Sequence, residues 1–278
     1  MTQIGRSAAR HSLSLPARPG QSVSLSWGAA TDIGRKRALN EDSFLAEAPF
    51  FVVADGMGGH ASGDVASAAV VHRLAEEGSA DFAEPEQIMT ALRIATADIT
   101  LAADDGDLGV GTTATGAVLT LVDGEPYWAV FNIGDSRVYQ LVDGELNQVT
   151  VDHSVVQELV DAGLLAKDAA EFHPDANIIT RAVGFNAEPM ADLWMLPVRT
   201  GLRLLICSDG LTREVNDEAL REMLSAGFGP QETAITLVDA ALAAGGRDNI
   251  TLVIVDVVEF PTAAPLENTI PRQDAATA

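Results

Sequence analysis

The sequence has a single cysteine, Cys207. It can therefore form no disulfide within the chain and no cysteine-built zinc site, and this usage fits a reducing compartment, expected to be the cytoplasm. No apolar run approaches the ~18 residues that span a bilayer, so no membrane segment is expected. Basic residues are scarce: 17 Lys+Arg stand against 40 Asp+Glu, a formal charge of −23. Such a surface repels nucleic acid and anionic membranes, and it attracts cations. No G-x-x-x-x-G-K-[ST] loop occurs, which excludes P-loop nucleotide chemistry. Glycine and proline, at 24 and 12 residues, are too few and the apolar fraction of 47% too high for general disorder.

What is present suits one large layered domain of 278 residues as well as two smaller ones. Residues 1–22 carry Arg6, Arg10 and Arg18 and no acid. They read as a flexible basic tail, with no apolar stretch of the kind a secretory signal needs. Residues 260–278, rich in Pro and Ala, read as a disordered C-terminal tail, leaving a folded unit over 23–259. Within it "FFVVAD" (50–55) reads as a strand, followed by a helix capped by Ser62 with Val65, Ala69, Val70 and Leu74 on one face. A second helix is expected over Glu86–Ala103. From Gly111 the texture is that of strands, and "LVDGE" occurs at both 121–125 and 141–145, each Asp-Gly marking a hairpin turn. Residues 153–181 read as an inserted flap. "LRLLICSDG" (202–210) is another buried strand, and two helices near 216–225 and 231–243 precede a final strand, "NITLVIVDVV". Helices between blocks of antiparallel strands indicate helices packed outside paired sheets.

The chemical signal is a carboxylate at the end of an apolar strand, met three times, at Asp55, Asp209 and Asp248. Strands of this kind belong in a core, which brings their terminal carboxylates together away from water. Two carboxylates ~4 Å apart repel by about 4 kcal/mol at an effective dielectric near 20. Either one of them takes a proton or cations neutralise them. With no Cys or His at ligand spacing, the donors are hard oxygens, which favours Mg²⁺ or Mn²⁺ over zinc.

The flanking strings are "RALNEDS" (37–43), "VVADGMGGHASGDVAS" (52–67), "GTTAT" (111–115), "NIGDSRVY" (132–139), "ITRAVG" (179–184), "CSDGLT" (207–212) and "GGRDNITLVIV" (245–255). Together and in this order, from about Gln21 to Val258, they resemble the PPM-type metal-dependent serine/threonine protein phosphatases of bacteria. The resemblance implies an α/β (α+β) βα-sandwich, two antiparallel sheets packed face to face and flanked by helices. It implies hydrolysis of phosphoserine and phosphothreonine by direct attack of a water bridging two metal ions, Mn²⁺ or Mg²⁺, with a weak third. Asp55 would bridge the two metals, the Gly56 carbonyl would bind the first, and Asp209 and Asp248 would complete the shell of the second. Asp135 would serve the third. Glu41 and Asp42 would hold metal-bound water, Arg37 would grip the substrate phosphate, and Asn249 would orient Asp248. The partners implied are phosphorylated proteins and a cognate kinase, for a chain acting as a monomer.

Two positions depart from the family pattern. Met57 stands where animal members have a histidine proposed as general acid, so that role is unassigned; His60 is near in sequence, and His153 and His173 lie in the flap. Arg213 stands four residues after Asp209, where the family has another acid for the third metal. Either it is a surface arginine at a helix start, or a fixed cation occupies the third site. Cys207, lacking a phosphate-cradling loop, reads as a small core residue. A phosphoprotein-binding pseudophosphatase and a small-molecule phosphatase are the alternatives in function.

Overall fold

In the computed structural model, which describes residues 1–58, 62–102, 109–186 and 188–261, the chain builds two sheets with helices on their outer faces. Strands β1 (Gln3–Gly5), β2 (Ala8–Ser14), β3 (Ser22–Asp32), β4 (Ser43–Glu47), β5 (Phe50–Ala54) and β6 (Gly56–Met57) precede helices α1 (Gly63–Glu76) and α2 (Pro85–Ala102). Then come β7 (Gly111–Thr112), β8 (Ala114–Val122), β9 (Glu125–Ile133), β10 (Arg137–Val142) and β11 (Glu145–Gln148). After α3 (Val155–Asp161) and a 3₁₀ turn at Lys167–Phe172 follow β12 (Asp192–Pro197) and β13 (Arg203–Cys207). The chain closes with α4 (Asp209–Thr212), α5 (Asp217–Leu224), α6 (Pro230–Ala244) and β14 (Ile250–Glu259).

One six-stranded sheet runs β1-β4-β5-β8-β9-β12 and the other β11-β10-β13-β14-β3-β2, while β6 and β7 form a short ribbon of their own. The two sheets are antiparallel as expected, with β1 on β4 the one parallel pairing between the named strands. Both Asp-Gly hairpins form as expected: Asp123 and Asp143 each have φ of 52° and Gly124 and Gly144 each 82°. Two successive left-handed residues make the turn whose twist matches the flanking strands.

The layers follow from three apolar clusters. Between the sheets, Trp27, Phe51 and Trp128 stack edge to face, with centroids 5.3 and 5.9 Å apart, among Val53, Ile206 and Val253. Such ring pairs add about 0.5–1.5 kcal/mol each beyond the area they bury. Ala66, Val70 and Leu74 of α1 and Ile88, Leu92 and Ile99 of α2 cover the first sheet. Leu220 and Leu224 of α5 and Leu237 and Ala241 of α6 cover the second. Val65 is exposed, so the α1 face that meets the core is the one through Ala66 and Val70.

Residues 1–22 are not a tail. β1 lies on the edge of one sheet and β2 on the edge of the other, so a single segment closes the same side of both. The acid-free composition has a physical reason: Arg10 and Arg18 pair with Glu259 and Glu125 of the acidic body at 2.5 and 2.6 Å. Trp27 donates its indole N–H to the Arg6 carbonyl. The expected C-terminal tail from 262 onward, together with His60, lies outside the described residues.

Candidate metal centre

Antiparallel pairing puts the ends of alternate strands at one edge of a sheet, and this is what assembles the acidic residues. Ser43 at the start of β4 faces Ala54 at the end of β5, and Ala114 at the start of β8 faces Ile133 at the end of β9. In the other sheet Cys207 at the end of β13 pairs with Leu252 near the start of β14 and with Arg137 at the start of β10. Asp42, Asp55, Asp135, Asp209 and Asp248 therefore come out at the same end of the sandwich, from both sheets. A cavity of about 1000 Å³ lies at the other end of the second sheet, against Trp27, Arg203, Phe228 and Gln231, away from these carboxylates.

The backbone around them is tightly held. Asp55 donates its N–H to Thr113 Oγ1, and its carbonyl accepts from the Thr113 N–H and the Thr112 hydroxyl, each at 2.9 Å. That gives "GTTAT" a role that sequence reasoning left blank. At Gly56 a methyl group would run into the carbonyl oxygens of Gly63 and Glu41, so only glycine fits. Gly210 is equally confined by the Asn249 carbonyl. Glu41 accepts from the N–H of Gly63 at the start of α1, where a helix favours negative charge. Asp42 is buried, and the Ser208 hydroxyl donates to its Oδ2 at 2.9 Å.

Asn249 does more than contact Asp248. Its Oδ1 accepts the Glu41 N–H at 2.9 Å, and its Nδ2 donates to the carbonyls of Ile33 and Leu39 at 2.9 and 3.0 Å. It thereby clamps the loop that carries Arg37 and Glu41. Only its backbone N–H reaches Asp248 Oδ1. His153 is likewise not at a surface where substrate would pass. It is buried, its Nδ1 accepts the Gly134 N–H at 3.1 Å, and its Nε2 faces Asp192 Oδ2 at 3.1 Å. Since Nδ1 accepts, Nε2 is the donor, and the ring fixes the turn beside Asp135. His173 accepts from the Asp175 N–H in the flap. Cys207 is a buried core residue, its thiol pushed up to about 12 by burial.

Two arginines enter the acidic cluster. Arg37, half exposed, donates to Asp248 Oδ2 at 2.7 Å. Arg213 contacts Asp209 Oδ2 through Nη2, which also stands 3.7 Å from Asp135 Oδ2, while Nη1 stands 3.7 Å from Asp248 Oδ2. It is the helix C-cap of α4 and turns into the site, not a surface arginine at a helix start.

Two cations do not balance five carboxylates. Burial raises Asp42 to about 7, with Asp209 and Asp248 adding repulsion against the hydrogen bonds from Thr251 and Ser208. Burial and the Asp209 charge raise Asp135 to about 8, in spite of Arg213. Burial, then the charges of Asp42, Asp209, Asp135 and Asp248, push Asp55 well above the usual carboxylate range. Asp209 is raised by burial, with Arg213 pulling the other way. Asp42 Oδ1 and Asp209 Oδ1 are buried without a hydrogen-bond partner. Among the described residues no three possible ligand side chains close around one point, and the two guanidinium groups stand against Asp135, Asp209 and Asp248. An all-oxygen donor set with orphaned carboxylate oxygens and excess negative charge fits hard divalent cations.

The protein phosphatase 2C family profile matches residues 34–244. The serine/threonine protein phosphatase PstP of Mycobacterium tuberculosis is 42% identical over 246 residues, covering 85% of this chain and 46% of PstP. The chain thus spans about half the length of that relative. The serine/threonine phosphatase stp of Listeria monocytogenes is 37% identical over 239 residues, covering 81% of this chain and 93% of stp. The crystal structure of the PstP catalytic domain in complex with two manganese ions superposes with a TM-score of 0.73 at 37% identity, covering 85% of this chain and 99% of that one. On these matches and on the fold, the chain belongs to the protein phosphatase 2C family.

Proposed function

We propose that this chain is a metal-dependent serine/threonine protein phosphatase, hydrolysing phosphoserine and phosphothreonine in proteins. The observation that carries the reading is that Asp55, Asp209 and Asp248 come out at one end of the sandwich from both sheets, with Asp209 Oδ1 buried without a partner and the carboxyls of Asp55 and Asp209 raised by burial. The PstP catalytic domain holding two manganese ions supports a similar occupancy, by Mn²⁺ or Mg²⁺. Bound there, two divalent ions would supply Lewis-acid polarisation of the phosphoryl group and activation of a water.

Asp55, Asp209 and Asp248 would hold these ions, with the Gly56 carbonyl at the position where no side chain fits. Glu41, seated on the N-terminus of α1, and Asp42, held by Ser208, would orient water at the rim and base of the site. Arg37 would leave Asp248 to hold phosphate oxygens, a fork that suits two of them at once. Its half-exposed position on the loop clamped by Asn249 lets a bulky phosphoprotein reach it.

The natural partners would be phosphorylated proteins and the kinase that modifies them, with the chain acting as a monomer in the cytoplasm. No helix among the described residues is long and apolar enough to cross a membrane. The test compares kcat/KM in Mn²⁺ for a phosphothreonine peptide and for p-nitrophenyl phosphate. Higher kcat/KM on the peptide is the expected result; turnover of the small ester alone would make this a small-molecule phosphatase.

A further inference from the structure

We propose that Arg213 is a built-in cation of the acidic centre, filling the place between Asp135 and Asp209 that a further divalent ion would take. The centre then holds two divalent ions and no tightly bound third. This rests on the reading above that Asp55, Asp209 and Asp248 hold divalent ions.

The geometry is specific. Arg213 lies four residues after Asp209, so one turn of α4 puts the two side chains on the same face. Its Nη2 contacts Asp209 Oδ2 and faces Asp135 Oδ2 at 3.7 Å, and its Nη1 faces Asp248 Oδ2 at 3.7 Å. The side chain is about one-third exposed, at 32%, so it lines the cluster and does not extend into water. An ion ligated by Asp135 and Asp209 would need the oxygens that now face Nη2. It would also sit in contact with a positive charge that has only donors to offer and is not lost at any accessible pH.

Charge balance points the same way. Asp42, Asp55, Asp135, Asp209 and Asp248 carry five negative charges when ionised. Two divalent ions and Arg213 supply five positive ones, which leaves Arg37 for the phosphate. Asp209 Oδ1 has no partner, so the arginine and an ion can divide this carboxylate between its two oxygens.

The experiment is calorimetric titration of the metal-stripped full chain with Mn²⁺, for wild type, Arg213→Asp, Arg213→Met and Arg213→Lys, each checked for folding by circular dichroism. Wild type and Arg213→Lys should bind two ions. Arg213→Asp should bind a third at least about tenfold more tightly than wild type does, a gain of about 1.4 kcal/mol. Arg213→Met, which removes the charge without adding a ligand, should fall between them and serves if the aspartate variant does not fold. Three tight ions in wild type would overturn the proposal. So would a third ion in the lysine variant, or matching isotherms for wild type and both charge-removing variants. No manganese binding by wild type at all would instead overturn the metal-centre reading on which the proposal rests.

Discussion

Asn249 holds three main-chain groups of one loop, so its loss separates loop geometry from charge. Asn249→Ala leaves the Glu41 N–H and the carbonyls of Ile33 and Leu39 without their partner. At about 1 kcal/mol per bond, denaturant unfolding should show about 2–3 kcal/mol of lost stability. Asn249→Asp keeps the acceptor and loses the donors, and should fall between. Arg37→Ala makes the converse test. It should lower kcat/KM on a phosphothreonine peptide by about 10- to 100-fold, the loss of a charge-assisted contact of about 1.5–3 kcal/mol. Because Arg37 occupies Asp248 Oδ2, its removal should move the Mn²⁺ midpoint to lower concentration. A midpoint moving to higher concentration would make Arg37 a support for the ions and not a phosphate ligand.

Among the elements, β1 and β2 are the pieces that local pattern did not reveal. β2 buries only Leu13 fully, and its other ties are backbone pairing to β3, the ion pair of Arg10 with the distant Glu259, and contacts of Arg10 and Ser12 with Ser24 and of His11 with Trp27. A period-2 signal is weak in such an edge strand, because its partners and not its own side chains make it a strand. Deleting residues 1–14 should lower the melting temperature and promote association through the uncovered edges of β3 and β4, read by light scattering. An unchanged melting temperature in a monodisperse truncated protein would mean that the two strands contribute nothing. Where both ends of an element are written in its own sequence, legibility was much better. The Asp-Gly hairpins, the apolar β5, β13 and β14, and the helices α5 and α6 all follow from turn chemistry and periodicity. In α1 the expected Val70 and Leu74 do meet the core, but Ala66 is buried there and Val65 is exposed, because small and β-branched residues line several sides of that helix.

At the scale of the whole molecule the carboxylates were legible as strand ends, since apolar strands stopping at Asp read directly. The links between them were not: Thr113 to Asp55, Ser208 to Asp42 and Asn249 to the 33–41 loop all join residues distant in sequence. The assembled charge has a consequence for stability. Asp42 and Asp135, raised to about 7 and 8, titrate below that in the unfolded chain, near 4. Their contribution to the metal-free fold is therefore fully present below about pH 4 and is lost as the pH rises through 7 to 8. Between pH 6 and 8.5 the melting temperature of stripped protein should fall, whereas that of Mn²⁺-saturated protein should hold, because bound cations favour the ionised forms. Parallel profiles would mean that these carboxylates do not meet the ions.

The most direct measurement follows phosphate release from a phosphothreonine peptide while Mn²⁺ is returned to stripped wild type and to Asp209→Ala. Wild type should rise from no turnover to saturation, and Asp209→Ala should stay flat at the same ion concentrations while retaining its circular dichroism. Full turnover by stripped wild type, or an Asp209→Ala response equal to that of wild type, would contradict a centre built on these carboxylates.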